Sequence, residues 1–186
     1  MKKIILGAVV LFSGFGFGQE TEFKLMKDGF TDFIVTPVEN KTQTEMYKKA
    51  FDWINVTFKN PKEVIKAQIE NDYIRIEGSS NTLICINILG SKNCYLSKYQ
   101  IEISFKDGKY KFDVTDISFY VEPSQYGAGG WFPENFAKPS DYFKDNGDLR
   151  GRFKFYNEIP TYFNNLNIEL KDFLISDKIP SKKNDW

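Results

Sequence analysis

The chain predicts an α+β domain in which helices pack on one face of an antiparallel sheet. Three observations point there. Residues 64–121 carry apolar side chains at period two, interrupted by turn residues. Two flanking stretches, 42–58 and 159–174, carry them at helical spacing instead. Aromatic residues make up 17% of the chain, and 18 of them are Phe, a composition suited to pleated, half-buried surfaces.

The elements follow in order. Lys2 and Lys3 precede an apolar run from Ile4 to Phe17, and Gly16 and Gly18 lie three and one positions before a cut expected between Gly18 and Gln19. That is the pattern of a secretory signal peptide over residues 1–18. The run is shorter than the ~20 apolar residues of a bilayer span. The expectation is an exported chain, in the periplasm, at the cell surface or secreted, with no transmembrane anchor and no cysteine at the cut for lipid attachment. Losing Lys2 and Lys3 with the leader leaves 168 residues, with 23 basic against 25 acidic side chains and a charge of −2. This length suits one domain. Residues 19–29 form a polar lead-in, 30–176 the domain, and 177–186 a polar tail.

Phe30–Val38 is a predicted strand, with Phe33 and Val35 on one face and Ile34 on the other. Thr42-Gln43-Thr44-Glu45 fits a capping box, in which the Thr hydroxyl and the Glu carboxylate each accept a free backbone N–H. Tyr47, Ala50, Phe51, Ile54 and Phe58 then mark one helical stripe, ended by Asn60-Pro61. Val64–Glu70 and Tyr73–Glu77 make a hairpin around Asn71-Asp72. Leu83–Leu89 places Ile84, Ile86 and Ile88 on one side. Tyr99, Ile101, Ile103 and Phe105 alternate against Gln100, Glu102, Ser104 and Lys106. Asp107-Gly108 predicts a type I′ turn, which requires φ > 0 at both central residues. Tyr110, Phe112 and Val114 continue the return strand. The apolar parity then moves to Ile117, Phe119 and Val121, which predicts a β-bulge near Thr115-Asp116. Residues 122–151 form a long loop rich in Gly, Pro and aromatics. Phe153 and Phe155 suggest a short strand. Residues 157–175 form the C-terminal helix, with Pro160 accommodated in its first turn.

The chain has two cysteines, Cys85 and Cys94. In a hairpin they can face each other, and an exported compartment permits a disulfide. Closing that ten-residue loop is worth about 2.7 kcal/mol on a chain-entropy argument. Two separate buried thiols are the alternative, and the residues alone leave both open.

Four segments together resemble a known family. They are Tyr47-Lys48-Lys49-Ala50-Phe51-Asp52-Trp53-Ile54, Pro61-Lys62-Glu63-Val64-Ile65, Asp72-Tyr73-Ile74-Arg75-Ile76-Glu77-Gly78, and the hairpin Phe105-Lys106-Asp107-Gly108-Lys109-Tyr110-Lys111-Phe112. Over residues 33–121 the chain resembles the secreted Bacteroidetes family catalogued as domain of unknown function 4468, with a TBP-like fold. Lys109 and Lys111 stand where members often carry arginine, and Ser79–Asn93 diverges. The resemblance implies a curved antiparallel sheet backed by two helices. It implies no activity, and no catalytic residue carries over.

The chain contains no histidine. Ser–His and Cys–His nucleophile pairs and His-ligated metals are therefore excluded, and two cysteines exclude a four-thiolate site. No cofactor is expected. Gly127-Ala128-Gly129-Gly130 lacks the Lys-Ser/Thr of a phosphate loop. Asp141, Asp145, Asn146 and Asp148 around Gly147 lack calcium-loop spacing, so a solvated acidic turn is expected. Arg150-Gly151-Arg152-Phe153-Lys154-Phe155 resembles an aromatic–basic RNA-binding strand. Export and the acidic balance argue against a nucleic-acid partner. Tyr126, Trp131 and Phe132 are the residues expected to contact a ligand or partner, such as an envelope protein or glycan. The competing expectation is that their segment folds back and plugs an apolar open face of the sheet. The functional expectation is an exported, non-enzymatic binding or interaction module. The alternative is a small carboxylate-dependent hydrolase acting on envelope or extracellular glycans.

Overall fold

Two paired 16-residue strands, Tyr73–Ile88 (β5) and Ser91–Lys106 (β6), form the spine of the molecule. The structure is a computed structural model and describes residues 21–136 and 138–176. The leader 1–18 with its Gly18/Gln19 cut, and the tail 177–186, lie outside the described residues. The elements preceding the spine are β1 (Leu25–Met26), β2 (Gly29–Phe30), β3 (Phe33–Pro37), helices α1 (Gln43–Thr57) and α2 (Pro61–Val64), and β4 (Ile65–Ile69). Those following it are β7 (Lys109–Val121), β8 (Gly130–Pro133) and helix α3 (Glu158–Ile175), with 3₁₀ turns at Pro139–Tyr142 and Gly151–Phe153. Six strands form one antiparallel sheet in the order β3-β7-β6-β5-β4, and β8 also pairs with β7.

Both helices lie on one face of the sheet. Tyr47 of α1 packs edge-on against Phe105, and Phe163 of α3 packs against Tyr99, two residues of equal parity on β6. Thr42 and Glu45 form the reciprocal capping box at the start of α1. The buried stripe of α1 includes Met46 and Trp53 beside Tyr47, Ala50 and Ile54. Pro61 opens the one-turn helix α2, so the strand expected from Val64 begins at Ile65. The Lys49 ammonium of α1 donates to the carbonyls of Phe173, Leu174 and Ser176 at the end of α3, where carbonyls lack a donor from the next helical turn. Within the core, Tyr110 Oη donates to Asn167 Oδ1 at 2.8 Å, and Asn167 Nδ2 donates to Thr36 Oγ1 at 3.2 Å. A buried polar trio of this kind ties β3, β7 and α3 together, because each group would lose a partner if one element slid.

Several expectations change. Residues 21–29 are not a loose lead-in, because Phe23 is buried against Phe30, Phe112 and Phe163. Only Gly108 of the Asp107-Gly108 turn has positive φ, 76°, so the turn is not type I′. Tertiary contacts hold it: Asp107 Oδ1 accepts the Gln43 N–H at 2.8 Å, and the Gly108 N–H donates to Lys41 O. The bulge falls at Thr115, where Gln100 pairs with Asp116 and Ile101 with Val114. Residues 122–151 are not one loop, since β8 lies within them. Phe153 and Phe155 form no strand. A 3₁₀ turn brings Phe153 and Tyr156 together on Tyr142, with ring centroids 4.7–5.2 Å apart, which an extended chain could not do.

Candidate functional site

The side of the sheet away from the helices is polar. Its residues alternate with the buried Ile74, Ile76, Tyr99, Ile101, Ile103 and Phe112. Arg75 and Glu102 face each other across β5 and β6 and pair at 2.7 Å, and Arg75 Nε also donates to Tyr73 Oη at 2.9 Å. Lys111 pairs with Asp113 at 2.9 Å and lies over the Phe33 ring, and Lys66 pairs with Glu77 at 3.3 Å. Most charges here are answered by a neighbour. Among the described residues the open face is therefore no broad apolar surface for 122–151 to plug, and β8 extends the sheet edge instead.

At one end this face becomes a groove of about 730 Å³. Gly78, Ser79, Leu96 and Lys98 make its floor. The chain from Phe58 to Val64, between α1 and β4, makes one wall, and Trp131 makes the other. The position of Trp131 follows from the local chain. Glycine at 129 is required, since a Cβ there would lie 2.5 Å from the Val121 carbonyl oxygen and the Pro123 nitrogen, and its φ is +67°. That close approach turns the chain back onto β7, where Trp131 pairs with Tyr120. The Trp131 ring rests 5.4 Å from Tyr120, with the Lys98 ammonium 4.6 Å from its centroid. It stays 43% exposed.

The three aromatic residues expected to act together are separated. Phe132 points to the opposite face of β8, against Phe119. Tyr126 sits at the tip of the tight Ser124–Gly127 turn and is 90% exposed. Only Trp131 enters the groove. The sequence reading missed Leu96 and Lys98. Their signal was present, because both lie on the solvent-facing parity of the strand that carries Ser97 and Tyr99 inward.

A second cleft, of about 420 Å³, opens at the Thr115 bulge between residues 28–32 and the end of β8. Asp28, Asp32, Asp116 and Glu134 line it. Two of these carboxylates are already engaged. Asp116 accepts the Ser118 hydroxyl at 3.0 Å, and Glu134 accepts those of Tyr142 and Tyr156 at 2.8 and 2.9 Å. Burial and the Glu134 charge push both tyrosines well above their ordinary pKa, which keeps them protonated donors. Glu134 thereby fixes the end of β8 to the aromatic cluster beneath it.

The acidic turn closes on itself. Asn146 Nδ2 donates to Asp148 Oδ2 at 2.8 Å, and the Asp148 N–H donates to Asn146 Oδ1. Among the described residues no three Asp, Glu or Cys converge in a way that suits a metal. Cys85 and Cys94 are register partners near the end of the β5–β6 hairpin and form a disulfide, their Cα atoms 4.0 Å apart. Beyond them the tip residue Leu89 adopts positive φ and is fully exposed. Among the described residues no helix is long and apolar enough to cross a membrane.

Residues 34–120 match a family model described as domain of unknown function (DUF4468) with TBP-like fold. Two crystal structures share the architecture. A TBP-like protein from Parabacteroides distasonis superposes with a TM-score of 0.54 at 16% identity, covering 78% of this chain and 92% of that one. A DUF4468 family protein from Bacteroides ovatus superposes with a TM-score of 0.54 at 14% identity, covering 80% and 88%. No curated protein matches the chain. At such identities the likeness establishes the fold alone.

Proposed function

We propose that this chain, whose residues 34–120 match the model of a domain of unknown function (DUF4468) with TBP-like fold, is an exported, non-enzymatic binding module whose ligand lies in the Trp131 groove. One observation carries the reading. A large indole is held at the rim of an open groove by strand pairing and by Tyr120, with 43% of it still exposed. Nature seldom leaves Trp in such a place without a contact for it, because exposed aromatic area is favoured at recognition sites. The mostly paired charges on the rest of the open face support a small, local ligand over a polyanion, which would need a continuous basic stripe. The leader pattern of residues 1–18 supports export.

The purified protein is to be screened on arrays of glycans and envelope proteins beside Trp131→Ala. The expected outcome is retention of at least one ligand by the wild type and its loss in the variant, with the melting temperature unchanged within a few degrees. Absence of any Trp131-dependent ligand, or collapse of the fold in Trp131→Ala, overturns the assignment of the groove. Export is checked separately by N-terminal sequencing of protein recovered from cells. Gln19 is the expected first residue, and Met1 retained throughout the recovered protein would refute it.

A further inference from the structure

We propose that the groove takes an anionic glycan, with a sugar ring on the Trp131 indole and its acid group on the Lys98 ammonium. This deepens the binding-module reading and rests on it. The charge pattern of the groove is the first argument. Lys59, Lys66 and Lys98 line it against Glu63 and Glu77. Glu77 is neutralised by Lys66 at 3.3 Å. Lys98 meets no carboxylate among the described residues and lies 4.6 Å from the Trp131 ring centroid, and Lys59 is without a partner among them as well. The surplus is positive, and it stands beside the stacking surface. An ammonium held over an indole keeps donors free for an incoming oxygen anion.

The second argument is shape. A volume of about 730 Å³ falls within the range of small-ligand sites. The short Ser79 side chain lies in the floor beside Lys98, and the Trp131 indole makes one wall. An extended peptide would seek an unpaired strand edge. Here β6 is paired on both sides, and α2 lies beside β5 beyond its last partner, Ile76. The Thr115 cleft supplies an internal contrast. Its four carboxylates are accompanied by no lysine or arginine, so an acidic sugar is repelled there and attracted to the groove.

The test is calorimetric titration of the full purified protein with a panel of uronic-acid and sulfated oligosaccharides. Each is paired with its neutral methyl ester or desulfated form, and an acidic hexapeptide is included. The expected result is binding of at least one acidic sugar, weakened at least about tenfold in its neutral form, in Lys98→Gln and in Trp131→Ala, as loss of one charge-assisted contact predicts. Lys98→Arg should restore most of it. Trp131→Phe, which keeps a ring in β8, should bind with intermediate strength and serves where the alanine variant is unstable. Equal binding of neutral and acidic forms, insensitive to Lys98→Gln but lost in Trp131→Ala, would overturn the anionic assignment and leave the binding module standing. Binding of the peptide alone would overturn the glycan class. No binding by any member of the panel, or binding indifferent to both Trp131 variants, overturns the proposal.

Discussion

The covered and open faces of the sheet are built from alternate residues of the same strands, and they are stabilised by different physics. On the covered face Tyr99, Ile101, Ile103 and Phe105 are essentially inaccessible and pack against Phe163, Tyr162 and Tyr47. On the open face their immediate neighbours Lys98, Gln100, Glu102 and Ser104 stay partly exposed, and charge pairs across strands keep that surface polar. Apolar burial contributes about 25 cal/mol per Å², whereas an exposed ion pair contributes about 0–1 kcal/mol. The covered face therefore holds the fold, and the open face can change its side chains at little cost in stability. A binding surface belongs on the second.

Four measurements would break or sharpen that contrast. The largest effect is expected for Phe163→Ala. Its ring touches Phe23, Phe30, Tyr99 and Tyr162, and deleting it should cost about 3–5 kcal/mol in denaturant unfolding. A loss below about 1 kcal/mol would show that the covered face is not the stabilising one. Next comes the joint replacement Cys85→Ser and Cys94→Ser, expected to lower stability by about 2–3 kcal/mol with the Trp131 groove still intact. Equal stability under oxidising and reducing conditions would contradict it.

Gly78→Ala sharpens the comparison from the other direction. The Tyr99 hydroxyl and ring lie across glycine 78, 2.3–2.7 Å from where a Cβ would stand. Overpacking there should cost about 1–3 kcal/mol although only one methyl group is added. The smallest effect is expected on the open face, where Arg75→Ala should cost no more than about 1 kcal/mol despite its short ion pair to Glu102. Should Arg75→Ala exceed Gly78→Ala, the division between the faces fails.

The buried tyrosines of the covered side add a pH signature. Burial raises the pKa of Tyr99 and Tyr110 above the ordinary 10.0. Their folded-state values lie above their unfolded ones, so the stability linked to them is complete below about pH 10 and is lost as pH rises beyond it. The chain has no histidine, so no side chain has its ordinary pKa in the physiological window. Thermal unfolding should vary little from about pH 6 to 9 and fall steeply above about 10. Tyr110→Phe should soften that fall while lowering stability at neutral pH by about 1 kcal/mol, through the lost hydrogen bond to Asn167.

Much of the fold was legible because its signals are local. The capping box of Thr42 and Glu45 is satisfied within four residues, and Pro160 fits a first turn wherever that helix sits. The parity change at Thr115 announced a bulge, because side chains alternate along a strand regardless of its partner. The α+β class followed from the same regularities, whereas the resemblance to the family rested on particular segments such as residues 105–112. What failed locally was decided elsewhere in the chain. Asp107 was drawn to cap α1, so its turn departed from the hairpin geometry its dipeptide favours. Phe153, expected in a strand with Phe155, joined Tyr156 on the Tyr142 cluster instead.

The site shows the same divide. By itself the sequence determined which chemistries are absent, the helical and strand periodicities, the aromatic content and the presence of an unusual Trp131. Those are properties of composition and of spacing over a few residues. Only the tertiary structure decided that the Lys98 ammonium lies over the Trp131 ring in a groove, that Phe132 points away from it, and that the opposite wall comes from residues 58–64. Strand β8 exists only where it can pair with β7, and that pairing depends on a chain reversal at Gly129 too close for any side chain. Contacts between segments about 70 residues apart leave no period in the sequence, because they arise from where whole elements dock and not from the preferences of any one of them.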